Sequence, residues 1–194
     1  MLAAVELTKA LSTAGVDAKF VATGQTGILV EGDGCPIDCV VSDFISGAVE
    51  KQIKLQQSHD VLVVEGQASI VHPRYSGVST GLLHGAAPHG MIAVYEVGRE
   101  ALHGMEPLPL TPLPRLIQIY EELASLRMPE LRIRPRVIGV AMNSRRVTAE
   151  QADKERQRMQ AELGLPVVDP VRHGCTPLVD AVKKLREELT QAAK

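Results

Sequence analysis

Asp60 to Glu65, DVLVVE, is a near-continuous β-branched run ending in a carboxylate and followed by Gly66. A strand with water on one face alternates apolar and polar side chains. A run without alternation fits a strand covered on both faces, as in a parallel sheet. Met91 to Val97 and Arg136 to Met142 read the same way, Ala18 to Ala22 is a shorter example, and Pro166 to Val168 makes a last short strand. Parallel neighbours need long crossover connections, and helices supply them. The pattern predicts an α/β fold: a mostly parallel sheet with helices on both faces, formed as a single domain over residues 1–194.

The segments between the runs carry helical spacing. Leu2 to Ala14 is apolar at three- and four-residue intervals and is followed by Gly15, a glycine stop, with no visible N-cap. Ile37, Val40, Val41, Phe44, Ile45, Ala48, Val49 and Ile53 predict one long helix, with Asp38 and Asp43 early and Lys51 and Lys54 late, as the macrodipole favours. Gly77 to Gly85 makes a short helix. Arg115 to Leu126 makes a longer one, after a Pro-rich surface crossing from Pro107 to Pro114. Thr148 with Gln151 three residues on is a capping box opening a helix that stops at Gly164, and Thr176 to Ala192 closes the chain with Pro177 in its first turn.

The chain carries 21 Lys plus Arg against 23 Asp plus Glu, a formal charge of -2, with no long block of either sign. That distribution argues against a nucleic-acid or membrane surface, and the absence of Trp argues against base-stacking platforms. No apolar run reaches the length of a membrane span, and no signal-like core follows the N-terminus, so a cytoplasmic protein is expected. Cys35 and Cys39 are four apart, a spacing open to a metal pair, but no second pair follows. Buried or half-buried thiols explain the three cysteines better, and no metal site is assigned.

In parallel α/β sheets, ligands bind beyond the carboxyl ends of the strands. Four strand ends carry polar groups that could converge on one crevice: Thr23 to Gly27, Glu65 to Gln67, Val97 to Arg99 and Asn143 to Arg145. The stretch from Val21 to Gly34, VATGQTGILVEGDG, reads as the rim of a site or as an ordinary strand-to-helix connection. Glu65 could position a magnesium ion or a water, act as a general base, or bond a neighbouring helix N-terminus. His72, in HPRYSG with Arg74 nearby, could be an acid, a base or a surface residue. Asn143 could read a base edge or a carboxylate, or simply form a turn. His84, His89, His103 and His173 make no ligand spacing, and no nucleophile-elbow pattern surrounds Ser69, Ser76 or Ser79.

Taken together, ATGQTGILVEGDG, IDCVVSDFISGAVE, DVLVVEGQASIVHPRYSG and VIGVAMNSRR resemble the C-terminal half of a bacterial and archaeal family long labelled as of unknown function. Members of that family have a Rossmann-like N-terminal half and a P-loop C-terminal half, and some are assigned as D-glutamate N-acetyltransferases. The resemblance covers essentially the whole chain. It implies a P-loop NTPase-like fold and transfer of an acetyl group from acetyl-CoA to the amine of an amino acid. Glu65 and His72 would then be the catalytic candidates. Thr23, Gly24, Gln25, Thr26, Gly27, Gly66 and Gln67 would line the crevice, with Asn143 at its edge and Arg74 or Arg145 as partners for anionic groups. A more distant similarity, to dethiobiotin synthetase, implies instead ATP-dependent acid activation with magnesium near Glu65. A third reading is a non-catalytic module that binds an anion or holds an oligomer together.

One departure from the family is large: no G-x-x-x-x-G-K-[ST] loop occurs anywhere in the chain. Met1 falls about where that loop would end, and the strand before it is absent too. The expectation is that the sequence begins late in a longer gene. The alternative is a reduced relative that fills the gap with a second copy, as a homo-oligomer, or with a partner chain.

Overall fold

The computed structural model describes residues 1–102, 104–127 and 133–192. His103 lies outside the described residues. The chain forms two compact units, Met1–Pro88 and His89–Lys194.

The first unit opens with α1, Leu2–Thr13, which has no side-chain N-cap and buries Leu7 and Leu11. Gly15 turns the chain at φ 79°, and the Val16 amide closes the end of the helix onto the Leu11 carbonyl at 3.0 Å. A left-handed residue costs glycine nothing, so the stop falls where a glycine is available. Strand β1, Ala18–Val21, then runs parallel to β2, Val61–Val64, in register from Ala18 opposite Val61 to Val21 opposite Val64. The glycine-rich stretch between them is partly helical: α2 spans Gln25–Glu31, from Gly24 to a left-handed Gly32.

The long helix expected from Ile37 to Ile53 is broken. Two 3-10 turns, Ile37–Cys39 and Ser42–Phe44, precede α3, Ile45–Leu55. Val40 and Val41 lie between the turns with ψ of 137° and 134°, in extended geometry. Adjacent β-branched side chains are stiff at χ1 and tolerate that geometry better than a helix interior. Only the first turn keeps its apolar side inward: Ile37 is buried, whereas Val41 and Phe44 of the predicted stripe are 66% and 67% exposed. Ile37, Ile45 and Val49 meet Leu82 of α4, Ser76–Ala86, in one buried cluster. Glycines set that approach: a β-carbon on Gly85 would stand 2.4 Å from the Ser46 carbonyl oxygen, and one on Gly81 2.6 Å from Ile45.

In the second unit three parallel strands lie in the order β3, Gly90–Glu96; β6, Arg136–Asn143; β7, Val167–Val168. The central strand β6 is buried along six consecutive residues, as its unalternating sequence predicts. Val140 and Met142 pack with Val97, Ala152, Met159 and Val167. The pairing of β3 with β6 ends with Glu96 opposite Asn143.

Helix α5, Leu113–Arg127, sends Glu121 to accept the Val137 amide at 2.8 Å. Helix α6, Ala149–Leu163, has both reciprocal bonds of the capping box between Thr148 and Gln151 and stops at a left-handed Gly164. Helix α7, Thr176–Ala192, lays Leu178 against Gly139 of β6, where an added β-carbon would be 2.5 Å away. Part of the region read as a Pro-rich crossing forms an antiparallel pair, β4, Ala101–Leu102, with β5, Met105–Pro109. No helix among the described residues is long and apolar enough to cross a membrane.

Candidate functional site

In the first unit the site is assembled where β1 and β2 end side by side. Because the strands are parallel and in register, the residues after Val21 and Val64 emerge together. Glu65 is 4% exposed, and its Oε2 accepts hydrogen bonds from the backbone amides of Thr23 and Gly24, each at 3.0 Å. These amides lie where α2 begins, and a carboxylate there is favoured both by the unsatisfied N–H groups and by the helix dipole. The Thr23 hydroxyl donates to the Glu65 carbonyl at 2.9 Å and accepts from the Gln67 side-chain amide at 2.9 Å. The other carboxylate oxygen, Oε1, lies 3.6 Å from the Met1 ammonium.

Two glycines make this closure physically available. A β-carbon at Gly27 would stand 2.3 Å from Glu65 Oε2, and one at Gly24 would stand 2.7 Å from the Gln67 amide nitrogen. Thus Thr23, Gly24, Gly27, Glu65 and Gln67 form one interlocked group, with Gly66 exposed at its rim. Gln25 and Thr26 point to solvent in the first turn of α2. His72 stacks at 4.5 Å on the ring of Tyr75, and its Nδ1 accepts from the Arg74 amide at 3.2 Å, which places the proton of a neutral ring on Nε2. The Arg74 side chain is exposed.

The second unit brings the other two strand ends together. Asn143 is exposed and its Oδ1 accepts from the Arg145 amide at 3.2 Å, the turn geometry that asparagine favours. Across the ladder, the Glu96 side chain is 8% exposed and pairs with three guanidiniums: Arg99, Arg145 at 3.0 Å and Arg146 at 3.2 Å. After β7, Asp169 Oδ2 accepts from the buried Ser144 through its amide, at 3.0 Å, and its hydroxyl. Burial works to raise the pKa of Asp169. The bonds from Ser144, Val171 and Arg172 outweigh it and hold the carboxyl below its ordinary range. Arg172 reaches back to the carbonyls of Ser144 and Val147 at 3.3 and 3.1 Å.

The four predicted strand ends are therefore found in pairs, two in each unit. Arg99 falls within the strand end named from the sequence, whereas Glu96, Arg146 and the Ser144–Asp169 bond were not singled out. A signal existed for Asp169, which closes an apolar strand as Glu65 does, but a two-residue strand gives too little periodicity to draw attention. Among the described residues no group of three or more His, Cys, Asp or Glu gathers around Cys35 and Cys39. Cys35 is half-buried, Cys39 exposed and Cys175 buried.

Parallel strands joined by helices, with polar side chains collected beyond the strand ends, define an α/β protein. The chain belongs to the DUF1611 family: the family model described as "Domain of unknown function (DUF1611_C) P-loop domain" matches residues 1–179. It is 35% identical over 179 residues to a D-glutamate N-acetyltransferase of Pseudoalteromonas sp, covering 92% of this chain and 53% of that protein. It is 34% identical over 182 residues to a D-glutamate N-acetyltransferase of Tritonibacter scottomollicae, covering 94% and 54%. The chain thus spans about half the length of the curated relatives it matches. Among solved structures, the crystal structure of a DUF1611 family protein from Anabaena variabilis ATCC 29413 superposes with a TM-score of 0.87. The two share 36% identity, over 93% of this chain and 52% of that one.

Proposed function

We propose that this chain serves acetyl transfer from acetyl-CoA to the amine of an amino acid, with D-glutamate as the first acceptor to test. The observation that carries the reading is the 35% identity, over 92% of the chain, to a protein named D-glutamate N-acetyltransferase. The geometry supports it by offering a rigid carboxylate. With Oε2 of Glu65 held by two amides, Oε1, which lies 3.6 Å from the Met1 ammonium, is the oxygen that would take a proton from the acceptor ammonium, freeing the amine to attack the thioester carbonyl and expel the CoA thiolate. The Thr23 hydroxyl and the Gln67 amide fix the turn that carries it.

Acetyl-CoA, when bound, supplies the acetyl group as an activated thioester. Exposed guanidiniums fit its phosphates and the carboxylates of an acidic acceptor, and Arg74 and Arg145 are the candidates. His72, with Nε2 carrying the proton, is the second candidate for proton transfer. Gln25, Thr26 and Gly66 are exposed beside the buried group and are available for hydrogen bonds to substrate.

The test is release of free thiol from acetyl-CoA by this chain, with the N-acetylated product identified by mass spectrometry. The reading expects product that depends on both acetyl-CoA and an amino-acid acceptor. A folded chain that gives no product with D-glutamate or other amino acids overturns it and leaves the non-catalytic anion-binding or oligomer-forming module. ATP-dependent acid activation has one observation in its favour, the P-loop description of the family model. Thermal stabilisation by ATP with magnesium, without stabilisation by acetyl-CoA, is the result that favours it.

A further inference from the structure

We propose that Glu96 gathers Arg99, Arg145 and Arg146 into a binding site for an oxyanion with two negative charges, at the carboxyl end of β3 and β6. Three positive groups face one carboxylate whose side chain is 8% exposed. An ordinary structural ion pair is one to one. Here a single carboxylate holds the guanidiniums near one another against their mutual repulsion, and it neutralises only one of them.

Each guanidinium has five N–H donors in a planar fork, far more than one carboxylate can accept. Arg145 and Arg146 keep 65% and 56% of their side-chain surface in solvent, so a ligand can reach them. A fourth cation borders them: Arg172 donates to the carbonyls of Ser144 and Val147, the residues flanking Arg145 and Arg146, and those acceptors are neutral. The place is independently what a parallel sheet predicts, since Glu96 and Asn143 are the last paired residues of adjacent strands. Asn143 then bonds the Arg145 amide and shapes the turn that presents both arginines.

The ligand chemistry is a phosphate monoester, a pyrophosphate or a dicarboxylate. These share clustered anionic oxygens that a guanidinium fork engages two at a time. Their sources differ: a phosphate marks a nucleotide-bearing cofactor, a dicarboxylate an acidic substrate. The inference rests on the acetyl-transfer reading, in which Arg145 is already a candidate for these anions, and it is measured as binding without turnover, so its failure and the failure of that reading are told apart.

The experiment titrates the full chain by calorimetry at low ionic strength, with pyrophosphate and adenosine 3′,5′-bisphosphate in one arm and glutarate and D-glutamate in the other. Saturable one-to-one binding is expected in at least one arm, and the arm that responds names the source. The R145A/R146A variant is expected to bind at least about tenfold more weakly, since each charge-assisted bond contributes a comparable factor. Arg115→Ala, an exposed arginine on α5, is expected to bind as the native chain does. A second readout needs no variant: the Nε–Hε resonances of Arg99, Arg145 and Arg146 should move during the titration. Absence of saturable binding in both arms, unmoved arginine resonances, or undiminished binding by R145A/R146A overturns the proposal.

Discussion

Thr23 and Glu65 hold each other twice, the Thr23 amide donating to Glu65 Oε2 at 3.0 Å and the Thr23 hydroxyl to the Glu65 carbonyl at 2.9 Å. The hydroxyl is buried and also accepts from Gln67, so it is the shared member of a small network. Thr23→Val keeps the shape but leaves the Glu65 carbonyl and the Gln67 amide without that partner. The expected loss is about 1–3 kcal/mol in urea unfolding, with Thr23→Ser losing clearly less. Equal losses for the two variants would show that the methyl group, not the hydroxyl, matters there.

Gly27 and Gly47 both lie in helices and should respond to alanine with opposite signs. At Gly47 an added β-carbon meets nothing within 4 Å, so Gly47→Ala is expected to stabilise the chain by up to about 1 kcal/mol through helix propensity. At Gly27 the same carbon would stand 2.3 Å from Glu65 Oε2, on a carboxylate pinned by two amides. Gly27→Ala is expected to destabilise by about 1–3 kcal/mol and to shift the Thr23 and Gly24 amide resonances. Melting curves of the two variants against the native chain give the comparison directly.

Glu65→Gln separates chemistry from binding. If Glu65 takes the proton from the acceptor amine, kcat should fall by about a hundredfold or more while KM changes little. A parallel loss in both, or no loss, rules out the base role. His72→Gln is expected to have the smaller effect, because His72 forms its described contacts with Tyr75 and Arg74.

Asp169 sets an acid limit on the second unit. Its folded pKa lies below the ordinary value, so the stabilisation is present above the unfolded value of about 4 and is lost as pH falls through the folded one. Denaturant midpoints measured from pH 7 down to pH 2 should fall steeply at the acid end. Asp169→Asn should be less stable at neutral pH and show a shallower acid dependence. Identical pH profiles for the two proteins would remove Asp169 from the account.

Thr148→Ala removes the acceptor for the Gln151 amide at 3.2 Å and half of the capping box. The expected loss is about 1 kcal/mol, read from the unfolding midpoint. Thr148→Asp should keep most of the stability, because a carboxylate caps as well as a hydroxyl and suits the helix dipole.

Element type was legible in the chain wherever local rules act without help. Unalternating aliphatic runs became parallel strands, Thr148 with Gln151 became a capping box, and Gly15 and Gly164 became stops, because each depends on neighbours a few residues away. Strand ends could be named as site positions for the same reason. The break of the predicted helix at Val40 and Val41 was hidden, since helical spacing alone does not reveal that Val41 and Phe44 are left exposed while Ile37, Ile45 and Val49 are buried. Partnership was decided by the fold. Whether Glu65 would face a ligand or a helix start depended on β1 and β2 lying in register, which puts Thr23 and Gly24 beside a carboxylate more than forty residues away. The three guanidiniums on Glu96 arise the same way: pairing of β3 with β6 brings Glu96 level with Asn143, and no local periodicity encodes a contact of that range.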